Sequence, residues 1–474
     1  MTPHRPSKAD PIAVVGAGIF GLSTAIHLTK RGYTNVTVFD RQPYAETLYN
    51  YFDGCDGASA DINKIIRSGY GTQSEYQQLA AEAMPAWREW NKELAEADDG
   101  ELPRGLKSSD VLFVNNGHKS ANDALELPAF ERANVDVAKN AGMGDTQLVN
   151  NDPQDQKIAK DKGLSYGLQP FSKDVIGVLE TTGGLAMAAK ACLFALNKAK
   201  NLGVKSVLHP QKGKFSRLLK DGRKVVGIET SDGTGHQAAM TIIACGGWTP
   251  TVLPQLDGLC ETTAGSVTIL QVPEGSPLRD RFHHSRFPSW AFKMRDGAEG
   301  GLYGFPADEN GHLKIGYRGT KYTNPQTQAD GVERSVPITR WTEKVITGVP
   351  DQAIKVIERF LKDYLPELGE AGIGIWKTRL CWYTDSFDNH YLIDHVPDVD
   401  GLMVATGGSG HAFKYLPNIG NWVVDRLEGV GEDRPAMKAW KWRDVSHGGM
   451  VVNQLMEGKA GARVLGKMKL ALEE

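Results

Sequence analysis

Between Pro11 and Asp40 the chain reads "PIAVVGAGIFGLSTAIHLTKRGYTNVTVFD", and this stretch restricts the fold more than any other. A β-branched run, Ile12 to Val15, meets a glycine turn. A helical stretch with Ala25, Ile26 and Leu28 follows and stops near Gly32. A second strand, Val36 to Phe39, closes on Asp40, which lies 19 positions after Gly21. Gly16, Gly18 and Gly21 form G-x-G-x-x-G at the first strand-to-helix junction. The first glycine permits a tight turn, the second lets the backbone approach a pyrophosphate, and the third allows close helix–strand packing. The helix start attracts phosphate charge, and Asp40 suits a ribose hydroxyl. The unit predicts a dinucleotide site, with Ile19, Phe20 and Arg41 beside it.

Two later segments read as further strands of the same sheet. "AMTIIACGGWTP" is a buried-strand run ending at Gly246-Gly247 with Trp248 beyond. "GLMVATGGSGHAFKYLPNIGNWVVDRLEG" is a strand, a glycine-rich turn through Gly408 and Gly410, and a helix through Val423 and Val424. A site drawing on both ends of the chain favours FAD over NAD, because the flavin ring needs extra walls. "VVGIETSDG" and "HLKIGYRGT" alternate in the β manner, while Trp87, Trp90 and Leu94 share one helical face and read as core. The polar region 140–165 reads as loop.

The 474 residues are too many for one core and predict two or three domains. A net charge of −3 argues against nucleic acid or an anionic membrane as the main partner. Five scattered cysteines (Cys55, Cys192, Cys245, Cys260 and Cys381) fit a reducing compartment and give no metal spacing. His283-His284 reads as loop, since adjacent histidines on a strand face apart. The polar opening "MTPHRPSKAD", the lack of a long apolar run and the ending "LEE" predict an intracellular, cytoplasmic chain.

Four motifs, in order along nearly the whole chain, resemble the monomeric sarcosine oxidase family of flavoenzymes. They are the unit at 12–40, "SADINKIIRSGYG" at 59–71, "LCWYTDSFDNHYLIDHVP" at 380–397 and "GGSGHAFKYLPNIG" at 407–420. Within the family the similarity is to the fungal amadoriase, saccharopine oxidase and pipecolate oxidase group. The resemblance implies an α/β plus α+β chain with a Rossmann-type FAD domain formed by 1–90, 170–256 and 388–474. A substrate domain around an antiparallel sheet would take 91–169 and 257–387.

The resemblance also gives roles to residues that read blandly by themselves. Free cysteines are usually packed core thiols; the family position of Cys381 implies a thioether to FAD. Lys414 reads as a solvated lysine, but the resemblance pairs it with Arg67 on the substrate carboxylate, a role that suits a guanidinium fork. Lys314 reads as a surface-strand lysine; by resemblance its charge speeds the reaction of reduced flavin with oxygen. Tyr383 would stand near the substrate, and Lys64, Ser59 and His411 near the flavin. Amadoriases carry an acid a few residues beyond the lysine matching Lys314, to hold the sugar, whereas "LKIGYRGTKY" has Arg318 four residues beyond. The implied activity is FAD-dependent oxidation of the secondary amine of an N-substituted amino acid by a monomer, with oxygen reduced to hydrogen peroxide. A fructosyl amino acid oxidase proper, a dehydrogenase with another acceptor and a non-catalytic redox sensor stay open as alternatives.

Overall fold

The computed structural model describes residues 5–293, 301–342, 346, 348–445 and 463–471. A six-stranded sheet holds Ile12–Val15 at its centre, between Met240–Ile243 and Val36–Asp40. Lys205–Leu208 lies outside the latter, and Leu402–Thr406 outside the former. All four contacts are parallel, and Leu392–His395 closes one edge antiparallel. The parallel strands are nearly continuous apolar runs because both faces of such a sheet are covered. On one face lie the helices Ile19–Lys30, Ala188–Asn201 and Ile419–Glu428. The last ends on Gly429 in the left-handed conformation, φ 64°. The helix Ser74–Ala95 buries Leu79, Ala83, Trp87, Trp90 and Leu94 into the same core, at the three-to-four spacing of one helical face.

The second sheet has eight strands in the order Ile375–Ser386, Cys260–Gln271, His312–Tyr322, Gly301–Gly304, Ser289–Lys293, His118–Asn122, Ile176–Glu180 and Gln147–Val149. Every neighbouring pair is antiparallel except Ser289–Lys293 with His118–Asn122. Side chains alternate between its faces. One face carries Leu270, Trp290, Phe292, Leu302, Leu313, Ile315 and Tyr317. These pack on the helix Asp351–Tyr364, which buries Ala353, Val356, Ile357, Phe360, Leu361 and Tyr364. The opposite face carries the polar residues between them.

Three features differ from the sequence expectation. Region 140–165 is ordered: it holds the sheet-edge strand Gln147–Val149 and the helix Pro153–Asp161. Asp152 caps that helix by accepting the Gln154 and Asp155 N–H groups, and Pro153 fits its first turn. The segment from 170 to 180, expected in the cofactor domain, contributes Ile176–Glu180 to the eight-stranded sheet. Conversely Leu94, Leu106, Leu112 and Phe113 join the first core, although the sequence expectation puts 91–169 in the substrate domain. No helix of the described residues is long and apolar enough to cross a membrane.

Candidate active site

A cavity of about 490 Å³ runs from Asp40 and Arg41 past Gly16 and Gly18 to Lys64, Tyr383 and the Gly408–His411 turn. The glycine roles read from the sequence have direct geometric counterparts. Gly16 has φ +109°, and a Cβ there would lie 2.3 Å from the Ala244 carbonyl oxygen. A Cβ at Gly21 would lie 1.8 Å from the Gly16 carbonyl oxygen, so the helix could not seat. Gly18 lines the cavity, and the Ile19 N–H behind it donates to Ser59 Oγ at 3.1 Å. Asp40 accepts the Ala17 and Gln42 N–H groups at 2.7 and 2.8 Å, and burial pushes its carboxyl up despite those bonds. The Arg41 guanidinium lies 4.9 Å from the Trp248 ring and 5.4 Å from that of Trp341. Ile19, Phe20, Ser59, Gly246, Gly408, Gly410 and His411 also line the cavity. Gly21 does not; it acts through packing.

One face of the eight-stranded sheet supplies most of the remaining groups. Strand alternation places Arg379, Cys381 and Tyr383 on it from Ile375–Ser386, and Lys314, Gly316 and Arg318 from His312–Tyr322. Tyr303, Ser289, His118 and Glu180 continue across the neighbouring strands. Gly265 and Gly316 make room for rings: a Cβ on either would come within 2.7 Å of Tyr383 and 2.1 Å of Tyr303, respectively. The segment 59–71 meets this face and brings Asp61, Lys64, Arg67 and Tyr70 to it.

The contacts form two charged groups. In the first, the buried Asp61 carboxylate lies 2.7 Å from Lys64 Nζ, 2.9 Å from Lys314 Nζ and 3.4 Å from the Arg379 guanidinium. Burial alone would push the Asp61 carboxyl up, but these three cations hold it well below the carboxylate range. Lys314 is fully buried and also donates to the Asn63 carbonyl at 2.5 Å. Burial lowers its pKa to about 7, against the pull of Asp61. Lys64 goes the other way: burial would lower it, but Asp61 outweighs this and raises it.

In the second group Lys414 Nζ donates to Tyr70 Oη at 2.8 Å, and Tyr70 Oη lies 3.2 Å from His411 Nδ1. His411 Nε2 reaches the Asn389 carbonyl at 3.1 Å, so its proton sits there and Nδ1 accepts. Burial, with Lys414 next, keeps that imidazole neutral. Burial and then Arg67 push the Lys414 pKa well down. Arg67 lies 5.2 Å from the Tyr70 ring and donates to the Gly69 carbonyl at 3.2 Å. Glu180 fixes this loop by accepting from Ser68 Oγ at 2.7 Å and Gly69 N–H at 3.0 Å. Arg67, Arg318 and Lys414 do not line the cavity, but the charges of all three reach His411, which does.

Cys381 is fully buried and close enough to Lys64 and Arg379 to interact with their charges. Its chain neighbours Trp382, Tyr383 and Thr384 line the cavity. Sequence reasoning does not single out Asp61, Arg379, Tyr303, Tyr70 or Glu180. It also misses Lys321, whose Nζ lies 2.6 Å from Asp385 and 5.1 Å from the Tyr383 ring. Asp61 and Tyr70 lie within the 59–71 motif; Glu180 ends an apolar strand and carries no local signal.

Comparison with known proteins agrees with this geometry. The profile of the FAD dependent oxidoreductase family matches residues 11–426. The L-saccharopine oxidase of Schizosaccharomyces pombe is 29% identical over 444 residues, covering 91% of this chain and 93% of the relative. The fructosyl peptide oxidase of E. terrenum superposes with a TM-score of 0.78 at 26% identity, covering 98% of each chain. Amadoriase II of Aspergillus fumigatus, a fructosamine oxidase, gives a TM-score of 0.71 at 26% identity, covering 92% of this chain and 90% of that one. With the dinucleotide cavity and two-sheet architecture in place, and a profile match over most of its length, the chain belongs to the FAD-dependent oxidoreductase family.

Proposed function

We propose that this chain oxidises the secondary amine of an N-substituted amino acid, at a site between Arg67, Lys414 and the flavin end of the cavity. The observation that carries the reading is the meeting of Arg67 and Lys414 around Tyr70, next to cavity-lining His411. Two cations that meet around one phenol, neither ion-paired to an acid of the described residues, call for an anionic ligand, and a guanidinium fork beside a lysine suits an amino-acid carboxylate. Arg67 supplies a fork and Lys414 a point charge. Tyr70 orients Lys414, and Glu180 holds the loop that carries Arg67.

When bound, FAD supplies the two-electron chemistry: it accepts a hydride equivalent from the carbon bearing the amine and is reoxidised by oxygen with release of peroxide. The chain supplies position and field. Arg67, Arg318 and Lys414 together disfavour an ammonium beside them, so the amine is held in its neutral, hydride-donating form. Lys314, oriented by Asp61 and the Asn63 carbonyl, supplies positive charge in its protonated form, where it stabilises negative charge developing on oxygen. Cys381 tethers the cofactor through its sulfur. The activity of the S. pombe relative on saccharopine and those of the fungal neighbours on fructosyl compounds fall within this reaction class. The reading is tested by oxygen uptake and peroxide release with sarcosine, pipecolate, saccharopine, fructosyl-valine and N-methyl aromatic amino acids. Absence of peroxide from every one of them would overturn it.

A further inference from the structure

We propose that Arg318 selects a substrate whose N-substituent carries a second carboxylate, so that the amine bridges two acid-bearing arms; this rests on the amine-oxidase reading above. Arg318 lies on the same sheet face as Lys314, four residues along the strand, and its side chain is exposed. It forms no hydrogen bond or ion pair with any described residue, so it is not a surface arginine satisfied by a neighbouring acid. Arg67 and the phenols of Tyr303, Tyr383 and Tyr70 are the groups whose charge or potential charge reaches it.

The local charge is unbalanced. Arg67, Arg318 and Lys414 act on one another, and Glu180 is the acid that reaches Lys414. Glu180 is already committed to Ser68 and Gly69. His118 and His411, also close to the three cations, are both held neutral, foremost by burial. With Lys414 in the charged form that a bound anion restores, three cations face one carboxylate, which leaves two charges to be met, and an amino-acid carboxylate meets one. A second carboxylate on the substrate meets the other.

Two other occupants of the Arg318 position fit less well. A sugar needs acceptors for its hydroxyl hydrogens, and a guanidinium only donates. An aromatic ring would stack on Arg318, but it would leave a positive charge uncompensated as the cleft loses water. A cation–π contact offsets that cost only in part.

The test uses the FAD-loaded protein and a matched pair, N-(3-carboxypropyl)-L-alanine and its terminal amide, N-(3-carbamoylpropyl)-L-alanine. The native protein is expected to favour the acid in kcat/KM by about 100-fold, the scale of a lost charged pair in a desolvated site. Arg318→Leu should reduce that ratio to about 3-fold or less, and Arg318→Lys should restore part of it. Equal turnover of acid and amide by the native protein would overturn the proposal, as would an unchanged ratio in Arg318→Leu. Calorimetric binding of glutarate and butyrate separates this inference from the reading it rests on, because no amine is involved. Glutarate should bind the native protein about 10-fold or more tighter than butyrate, with the gap lost in Arg318→Leu. An equal affinity for the two acids would overturn the proposal even if amines are oxidised. A gap without any amine oxidation would instead sink the oxidase reading.

Discussion

The Lys314 ammonium lies 2.9 Å from the Asp61 carboxylate, and neither group is open to water. Lys64 and Arg379 share the same carboxylate, so a single acid is the anionic partner of three buried cations. Replacing Asp61 by Asn should cost about 3–5 kcal/mol, the penalty for leaving buried charge without its partner, and thermal unfolding would measure it. The folded-state pKa of Asp61 is depressed, so its contribution is present above the ordinary carboxylate pKa and is lost as pH falls toward the folded value. The native protein should therefore lose stability in acid more steeply than Asp61→Asn. Parallel acid-unfolding curves would count against this ion cluster as a source of stability.

Lys314→Met should slow reoxidation of the reduced cofactor by oxygen by about 10²–10³-fold, the usual loss on removing a preorganised charge. Anaerobic reduction by substrate should change much less. Stopped-flow measurement of the two half-reactions separates them, and an unchanged oxygen step would return Lys314 to a purely structural role.

Cys381→Ala should release FAD on acid denaturation, whereas the unsubstituted protein should keep yellow colour and fluorescence on a denaturing gel. Flavin that washes out of the unsubstituted protein would refute the tether.

Carboxylate binding should take up a proton. The Lys414 pKa is depressed in the free protein by burial and Arg67, and an anion beside it restores the charged form. Affinity for a simple carboxylate inhibitor should therefore fall as pH rises, from a lower pH than an ordinary lysine would give. Lys414→Met should bind more weakly and show a flatter profile. A pH dependence that survives this substitution would assign the proton elsewhere.

Lys119 lies on the opposite, apolar face of the same sheet, paired with Trp290 and Leu179, and its Nζ has no hydrogen-bond partner among the described residues. Burial lowers its pKa to about 7. The destabilisation is full below that pH and fades as pH rises toward the unfolded value, because the native state no longer has to hold the charge. Lys119→Met should stabilise the protein by about 2–4 kcal/mol near neutral pH, with a gain that shrinks toward pH ~10. Denaturant unfolding at several pH values would check it, and a loss of stability on substitution would mean that the ammonium has a role of its own.

Local geometry is written in the sequence. Gly16, Gly18, Gly21 and Asp40 sit at the spacings of a strand–turn–helix–strand unit, with the apolar runs of both strands beside them, so much of the cofactor half of the site is legible in the sequence. The alternation of Leu313, Lys314 and Ile315 likewise gives two faces of a strand. Alternation cannot tell which face meets water, however, because a polar face looks the same whether it borders solvent or a cleft. Packing between distant segments settles it: the 59–71 segment lies against the polar face, and Asp61 thereby closes on Lys314 across some 250 residues of chain. Long separations in sequence likewise hide Glu180 and the meeting of Arg67 with Lys414 around Tyr70. Nothing local marks a residue whose charge matters only because another strand brings its partner near. The helix Pro153–Asp161 escapes a sequence reading for the opposite reason. Its Asp-Pro start is plain in the sequence, but a short, largely exposed helix has too few apolar positions to outweigh a polar composition.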